Sequence, residues 1–311
     1  MLPVLFPCGT GTRQIVYDVS TMTKLAKDLI ERSPGHKVRR RLLPAAAAAL
    51  ALWGATAAAR AEAVPQLALD YHVFAGGLHV LTYEAIVSVN TGAYKANVRA
   101  RTNGFIDSLF KFSLEAEAAG VEGAAGLVPR RFRVANRWRE NPERWVEITY
   151  SEEAVPDTKA EPPAADDDRD PVPEALLAGT LDPISAVLAV VAKVAQSGRC
   201  EVALPIFDGR RRYDLTAQHL GETELKTSDV APFGGLATRC GLAFEMLGGG
   251  WKKKSKRWKE AGRPEVEVFL SRVLPNAPPL PVRVHAKNNF GALRIHLVAA
   301  RSVTSVTQSA C

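Results

Sequence analysis

The chain has 311 residues, of which 47% are hydrophobic and 23% are charged, a composition that excludes the disordered and collagen-like classes of protein. Its length is sufficient for one large β domain or for two ordinary domains. The formal net charge of +7 does not indicate a nucleic-acid partner, because residues 1–63 hold 9 of the 40 lysines and arginines and leave 31 basic against 29 acidic residues in the remainder.

Residues 1–63 form a leader with the three parts of a secretory signal peptide. Lys37 and the arginines at 39–41 make a basic cluster, and an uncharged Leu- and Ala-rich run follows at 42–59. Ala61 and Ala63 then supply the small residues that signal peptidase recognises. We therefore predict cleavage after Ala63 and a periplasmic mature chain.

The leader leaves two alternatives open. The run at 42–59 just reaches the length that spans a membrane, so an uncleaved anchor is the alternative to a cleaved signal. The stretch before the basic cluster is longer than usual, and Met22 is a second candidate start. Residues 1–21 would then be a mis-annotated start without structural meaning.

From residue 64 onward, apolar and polar residues alternate with the period of two that is typical of half-buried strands. The apolar positions of five such runs are Leu81, Tyr83, Ala85, Val87 and Val89; Phe132, Val134 and Trp138; Val266, Val268 and Leu270; Val282, Val284 and Ala286; and Leu293, Ile295 and Leu297. Gly76-Gly77 and Asn288-Asn289 favour hairpin turns, because these residues accept positive φ. The pattern predicts a mainly β fold with an antiparallel sheet.

One helix is predicted within this β pattern. Asp182 is a suitable N-cap, Pro183 suits the first helical position, and Gly198 ends the segment. Apolar residues recur at helical spacing with few polar ones between them, so most of the helix surface should be buried. We expect the helix to pack across the concave side of a strongly curved sheet, either open or a half barrel.

A segment rich in Pro, Ala and acidic residues precedes the helix at 153–181. Its composition is typical of a mobile surface loop rather than of a domain boundary. Strands of the same style lie on both sides of it. We therefore expect a single exported β domain over residues 64–311.

Cysteine usage agrees with export. Cys8 lies in the leader and Cys311 at the C-terminus, which leaves Cys200 and Cys240 as the natural disulfide in an oxidising compartment. Two buried free thiols are the alternative. Closing a loop of about 40 residues would stabilise the fold by about 4 kcal/mol in the chain-entropy model.

No motif indicates a reaction, a cofactor or a metal. The six histidines form no local ligand pattern, the cysteines lack CxxC spacing, and the nucleophile-elbow, HExxH and dinucleotide-binding signatures are missing. We predict a protein that is not an enzyme, with His285 and His296 on solvated strand faces. A hydrolase of envelope polymers is a remote alternative, for which Asp208 and Asp214 are the first candidates.

A lysine-rich segment bracketed by two tryptophans is a candidate binding surface. Its members are Trp251, Lys252, Lys253, Lys254, Lys256, Arg257 and Trp258. Such a patch would suit anionic lipid headgroups, and indole rings favour the boundary between water and lipid. An ordinary solvated face is the alternative.

The segment from Cys200 to Asp214, with Pro205-Ile206-Phe207-Asp208-Gly209-Arg210 and Arg212-Tyr213-Asp214, resembles a bacterial envelope family known as domain of unknown function 3108. The segment Asp182-Pro183-Ile184-Ser185 and Cys240 fit the same pattern. The resemblance implies a periplasmic β protein without an assigned reaction. By a looser fold resemblance, such proteins are similar to carriers of outer-membrane lipoproteins, in which a curved sheet wraps a helix around an apolar cavity, although fold does not determine function.

The leading hypothesis is a non-enzymatic periplasmic envelope protein that binds a lipid acyl chain or another apolar ligand in the concave face of its sheet. Candidate lining residues are Leu81, Tyr83, Val87, Phe132, Val134, Leu188 and Val191. The opposing interpretation is that these side chains pack on each other and leave no cavity. A second hypothesis is an envelope-integrity or assembly factor that contacts a partner protein or an anionic membrane surface through the lysine-rich segment.

Overall fold

The structure, a computed structural model, describes residues 63–90, 92–109, 111–139, 141–151, 155–164, 169–252, 265–288 and 291–306. Within these, Pro65–Val303 belong to one compact unit, which is the unit described below. Residues 1–62 of the predicted leader, most of the lysine-rich segment and Cys311 lie outside the described residues.

Thirteen strands and two helices are found in the described residues. They are β1 (Ala63–Ala75), β2 (Leu78–Asn90), β3 (Ala93–Thr102), α1 (Gly104–Leu109), β4 (Phe112–Gly123), β5 (Gly126–Trp138), β6 (Arg144–Thr149), β7 (Asp157–Glu161), α2 (Pro183–Ser197), β8 (Val202–Phe207), β9 (Arg212–Leu225), β10 (Gly235–Gly248), β11 (Glu265–Ser271), β12 (Leu280–Asn288) and β13 (Gly291–Val306). A short 3-10 turn, Glu174–Leu176, precedes α2.

The strands form one antiparallel sheet in the order β7-β6-β5-β4-β3-β2-β1-β13-β12-β11-β10-β9-β8. Consecutive strands are neighbours except for β7 and β8, which form the two edges, and β1 and β13, the first and last strands described, meet in the middle of the sheet. The β1–β2 hairpin turns at Gly76 and Gly77, whose φ angles are 57° and 86°. The predicted fold class, an open and curved antiparallel sheet with one substantial helix, is confirmed.

The sheet curls until its two edges approach each other without closing into a barrel. Phe207, at the end of edge strand β8, is buried in a cluster with Phe132, Val146 and Ile148 of β5 and β6. Just beyond it, Arg210 donates a hydrogen bond from Nη2 to the carbonyl oxygen of Pro162, which follows edge strand β7, at 2.8 Å. Helix α2 lies inside the curve, because it packs on β8 to β11 in one cluster and on β4 to β6 through Ile184 in another.

Helix α2 has the ends that the sequence predicts. Asp182 Oδ1 accepts hydrogen bonds from the backbone N–H groups of Ile184 and Ser185, both at 2.9 Å, and Gly198 ends the helix with φ of 68°. The helix packs tightly against the half of the sheet that contains β8 to β11. The buried residues of this core are Leu181, Ala186, Val190, Val191, Val194, Cys200, Ile206, Leu215, Ala217, Cys240, Val268 and Leu270.

The disulfide lies in this core. Cys200 and Cys240 are bonded to each other and fully buried, with 6.2 Å between their Cα atoms. The bond links the start of β8 to β10, across the intervening strand β9. Among the described residues, α2 is too short and no other helix is long and apolar enough to cross a membrane.

The segment expected to be a mobile loop, 153–181, differs from that expectation. Residues 157–161 form β7 and pair with β6 in regular register. The later part is tied to the strand β10 end, because Asp170 N–H donates to the carbonyl oxygen of Gly250 at 2.7 Å. An edge strand with a solvated face needs few apolar residues, so its polar composition is compatible with a strand as well as with a loop.

Candidate ligand cavity

The N-terminal end of α2 contacts the other half of the sheet, because Ile184 packs against the buried cluster of β4 to β6. The rest of the helix stands off from that half, and a cavity of about 1540 Å³ lies between them. Its wall comes from α2 and from the concave faces of β1 to β6, β12 and β13. Most of the wall is apolar. The residues that contribute from β1 to β5 and α2 include Leu67, Leu69, Tyr71, Tyr83, Ala85, Val87, Val89, Tyr94, Ala96, Val98, Leu114, Ala116, Phe132, Val134, Ile184, Val187, Leu188, Val191, Ala192 and Ala195.

Strand alternation produces this apolar wall. On β2, Tyr83, Ala85 and Val87 face the cavity, while the residues between them face outward, because successive side chains point to opposite faces. On α2, Val187 and Leu188 face the gap left by the sheet. Val187 is 53% exposed although it sits on the inner helix, so part of the apolar wall is open to water.

Six of the seven predicted lining residues contribute to the cavity wall: Tyr83, Val87, Phe132, Val134, Leu188 and Val191. Leu81 does not, although it lies on the same face of β2. It pairs with Val73 and Thr102, one step closer to the end of the sheet where β3 joins β4. Whether these residues bind a ligand stays a prediction.

Much of the wall lies outside the seven predicted lining residues. Strand β3 contributes Tyr94, Ala96 and Val98, which alternate with Lys95, Asn97 and Arg99 in the same period-two pattern used for β2. This alternation in the sequence could have identified the inner face of β3. It has fewer large apolar residues than β2, and alanine is only weakly typical of strands.

A buried polar network borders the cavity at the N-terminus of α2. Asp182 is fully buried, and its Oδ2 accepts a hydrogen bond from Ser185 Oγ at 2.5 Å. Tyr94 OH lies 2.7 Å from the same Ser185 oxygen. Because the serine hydroxyl has one hydrogen and gives it to Asp182, the tyrosine is the donor to Ser185.

Burial shapes the electrostatics of this network. It raises the pKa of the Asp182 carboxyl, an effect that the hydrogen bonds from Ser185 and Ile184 oppose. Burial likewise raises the pKa of Tyr94 to about 12. The hydroxyl of Tyr150 is buried without a hydrogen-bond partner in the described part of the chain, and burial raises its pKa as well. The network ties the N-terminus of α2 to strand β3.

One end of the cavity is basic and aromatic. Arg144 and Trp145 reach it from β6, and Arg210 reaches it from the β8–β9 turn. The Arg169 guanidinium lies 3.8 Å from the ring centroid of Trp251, a cation–π arrangement that also contributes to the wall. Such an end suits the polar head of an amphipathic molecule more than its chain.

Two members of the predicted lysine-rich surface are described. Trp251 is 42% exposed and contributes to the cavity wall beside Arg169, and Lys252 is exposed. Lys253, Lys254, Lys256, Arg257 and Trp258 lie outside the described residues. The position of Trp251 connects at least the start of this segment with the cavity.

The two carboxylates considered for a hydrolase have structural partners. Asp208 Oδ1 accepts from the backbone N–H groups of Arg210 and Arg211, at 3.0 and 2.7 Å, and its Oδ2 pairs with the Arg211 side chain. Asp214 pairs with Arg212 at 2.6 Å. Asp208 therefore organises the β8–β9 turn that the sequence suggested at Asp208-Gly209.

The expectation that His296 is solvated is wrong. His296 is only 7% exposed, and burial, followed by the nearby Arg283, lowers its pKa to about 4. Its ring contacts Phe74, and His285 lies beside it at a centroid distance of 6.3 Å. The alternation correctly assigns it to the outer face, but aromatic neighbours cover that face. No cluster of three or more potential metal ligands occurs in the described ranges.

The fold and the cavity together define the class of this protein: an open, strongly curved antiparallel sheet that holds one helix and leaves an apolar cavity beside it. Residues 70–298 match the family described as Protein of unknown function (DUF3108). The chain therefore belongs to this family, which confirms the resemblance seen around Cys200 to Asp214.

A search of solved structures finds a similar chain in a β-barrel-like protein of domain of unknown function DUF1849 from Brucella abortus. The two are 15% identical with a TM-score of 0.42, and the similarity covers 77% of this chain and 98% of that chain. No curated protein matches this chain.

Proposed function

We propose that this protein binds an acyl chain or another elongated apolar ligand in the cavity between α2 and the sheet, and that it acts without catalysing a reaction. One observation carries the proposal: a cavity of about 1540 Å³ with a mostly apolar wall. This volume exceeds the roughly 300–1,000 Å³ of ordinary small-molecule sites. It is large enough for a lipid chain rather than a small metabolite.

Filling the cavity would be favourable because its wall offers water few partners. Val89 is 50% exposed and Val187 is 53% exposed, yet both face the cavity. Each methylene group of a ligand that leaves water for such a wall contributes about 0.8 kcal/mol. Burial of an acyl chain of ordinary length would therefore supply much of the binding free energy.

The basic and aromatic end of the cavity indicates the chemistry of the polar part of the ligand. Arg144, Arg169 and Arg210 contribute to the wall there, beside Trp145 and Trp251. Guanidinium groups bind carboxylates and phosphates through paired hydrogen bonds, and indoles favour the boundary between polar and apolar parts. The proposed ligand is therefore an anionic amphiphile whose head lies at this end.

The proposed location is the periplasm. The leader at 1–63 and the buried Cys200–Cys240 disulfide both favour an oxidising compartment outside the cytoplasm. Fractionation of cells that produce the full chain, followed by N-terminal sequencing, tests this. A processed chain that begins at Val64 is expected, and an unprocessed chain among cytosolic proteins would contradict the proposal.

Ligand binding is tested with a fluorescent fatty acid and a matched pair of variants on β2. Val87 faces the cavity and Ser88 faces outward, so Val87→Trp fills the cavity while Ser88→Trp adds the same side chain outside it. Val87→Trp is expected to weaken binding at least about tenfold, whereas Ser88→Trp leaves it unchanged. Equal binding by both variants would rule out the cavity as the site.

Native mass spectrometry of protein recovered from cells provides a second measurement. The unaltered protein should carry an added mass that organic extraction releases as a lipid. The Val87→Trp protein should carry less of it than the Ser88→Trp protein. Consistently ligand-free protein that also fails to take up the fluorescent fatty acid would contradict the proposed function.

A further inference from the structure

The rim of the sheet where β3 joins β4 and β5 joins β6 exposes three large apolar side chains. Phe105 and Leu109 lie on α1 and are 76% and 45% exposed, and Trp138 at the end of β5 is 47% exposed. We call these three residues, with Lys111 and Arg139, the rim platform. Exposed large apolar side chains in a group of this kind mark an interaction surface more often than a single exposed residue does.

Hydrogen bonds hold the rim platform in place. The Thr102 hydroxyl donates to Asp107 Oδ1 of α1 at 2.6 Å and accepts from the N–H of Phe112 at 3.0 Å. The β3–β4 and β5–β6 connections are also hydrogen-bonded to each other. The backbone N–H of Arg139 donates to the carbonyl oxygen of Lys111 at 2.7 Å, and Arg139 Nη2 donates to the carbonyl oxygen of Leu109 at 2.8 Å. The apolar side chains are therefore presented by an ordered support.

Positive charge surrounds these apolar side chains. A depression of about 580 Å³ beside α1 has Arg101, Lys111, Arg137 and Arg139 in its wall. Arg101 pairs with Glu84 at 3.4 Å and Arg137 with Glu143 at 3.8 Å. Asp107 is engaged by Thr102. Aromatic and aliphatic side chains among basic residues match the chemistry of an anionic bilayer surface.

The rim platform continues the inner face of the sheet. Phe112 pairs directly with Trp138, and Leu114 with Asn136 one step further in. Leu114 and Asn136 contribute to the cavity wall, and residues two apart on a strand share a face, so Phe112 and Trp138 lie on the cavity side. The rings of Phe112 and Trp138 are 5.6 Å apart. An apolar surface thus runs from the cavity to the rim.

We propose that the rim platform docks the protein on an anionic lipid bilayer, with Phe105, Leu109 and Trp138 inserted among the lipids and Lys111 and Arg139 facing the headgroups. This interaction goes beyond ligand binding in the cavity and does not depend on it. It differs from the lysine-rich segment that starts at Trp251. It also places the bilayer at one end of the continuous apolar surface.

Vesicle sedimentation tests the proposal. The full chain is produced in a bacterial host, and each variant is compared with the unaltered protein recovered in the same way. Binding is measured to vesicles of phosphatidylcholine alone and of phosphatidylcholine with phosphatidylglycerol at low salt. The unaltered protein is expected to bind the anionic vesicles, and Phe105→Ser or Lys111→Glu is expected to weaken that binding at least about tenfold.

Two control variants separate this surface from others. Leu236→Ser removes an apolar side chain of comparable exposure, 59%, on β10, and Lys252→Glu reverses a charge in the lysine-rich segment. Both are expected to bind like the unaltered protein. The proposal is overturned if Phe105→Ser and Lys111→Glu bind normally, or if Lys252→Glu alone removes binding. Phe105 and Lys111 are exposed, and an unchanged melting temperature verifies that each variant is folded.

Vesicle binding and fatty-acid binding are expected to be lost in different variants. Val87→Trp should bind the fluorescent fatty acid weakly and bind vesicles normally. Lys111→Glu should bind vesicles weakly and bind the fatty acid normally. If Lys111→Glu loses both, the rim platform is part of the ligand site rather than a separate docking surface, and the proposal of a membrane contact is overturned.

Discussion

Tyr94 on β3 donates a hydrogen bond to Ser185 on α2, with 2.7 Å between the two oxygens, and joins the sheet to the helix at the edge of the cavity. The bond comes from the half of the sheet from which most of the helix stands off. It therefore helps to set the width of the cavity. The tight core on the other side of α2 keeps the helix from moving away.

Tyr94→Phe is expected to lower the free energy of unfolding by about 1 kcal/mol, since it removes one buried hydrogen bond and leaves Ser185 bonded to Asp182. Urea denaturation provides the measurement. Tyr83→Phe is the matched control, because Tyr83 also faces the cavity but its hydroxyl has no hydrogen bond in the described part of the chain. Equal decreases in the free energy of unfolding would show that the Tyr94–Ser185 hydrogen bond makes no specific contribution to stability.

Asp182→Asn is expected to remove a pH dependence from stability. Burial raises the pKa of Asp182 above its ordinary value of 3.8, so between that value and the raised pKa the folded state binds more protons than the unfolded state. The free energy of unfolding of the unaltered protein should therefore fall, relative to Asp182→Asn, as the pH rises from about 4. A difference that stays constant with pH would contradict this prediction.

His296 should act in the opposite direction. Burial lowers its pKa from 6.5 to about 4, so in this range the unfolded state binds more protons than the folded state. Stability should be lost as the pH falls from about 6.5 to about 4, and His296→Gln should lose less of it. Melting temperatures of both proteins across this range provide the comparison. Parallel acid transitions would exclude His296 as the cause.

Replacing Cys200 and Cys240 together with alanine is expected to lower the free energy of unfolding by about 4 kcal/mol. The two cysteines are 40 residues apart in the sequence, and the disulfide restricts the unfolded chain by closing this loop. Reductant should lower the melting temperature of the unaltered protein and leave the double variant unchanged. Mapping of non-reduced peptides from exported protein should find the two cysteines linked. Free thiols at both positions would refute the pairing.

Gly209→Ala should be more destabilising than Gly179→Ala. Both glycines have positive φ, 86° and 69°, but a Cβ at 209 would overlap Val146 Cγ1, while one at 179 meets nothing within 4 Å. Gly179→Ala should cost about 1–2 kcal/mol from the backbone alone, and Gly209→Ala roughly 1–3 kcal/mol more. In a double-mutant cycle, Val146→Ala should recover much of that extra loss. Additive effects would mean that the two elements do not touch.

Local signals made much of the fold predictable from the sequence. The ends of α2 follow from Asp182, Pro183 and Gly198, whose preferences act over a few residues. The inner face of β2 follows from strict alternation. Alternation in β2 and β5 identified four residues of the cavity wall, and helical spacing in α2 identified two more. These features depend on residues that are close together in the chain, so they can be predicted from a single sequence.

Other features depend on contacts between distant segments. The helix sequence alone does not reveal that α2 packs on β8 to β11 and, beyond Ser185, stands off from β1 to β3, because most of its circumference is apolar. His296 alternates as an outward residue, yet Phe74 from β1 covers it. The rim platform unites residues from two hairpin connections, and neither connection has a motif of its own.

The two edges of the sheet are both obstructed. Leu181 occupies part of the β8 edge, because its N–H donates to Pro205 and its carbonyl oxygen accepts from Phe207, at 2.8 and 2.9 Å. Strand β7 on the other edge has only five residues and is followed by Pro162. Short, proline-terminated or covered edges discourage strand addition from a second molecule. The sheet can thus remain unclosed without becoming a template for aggregation.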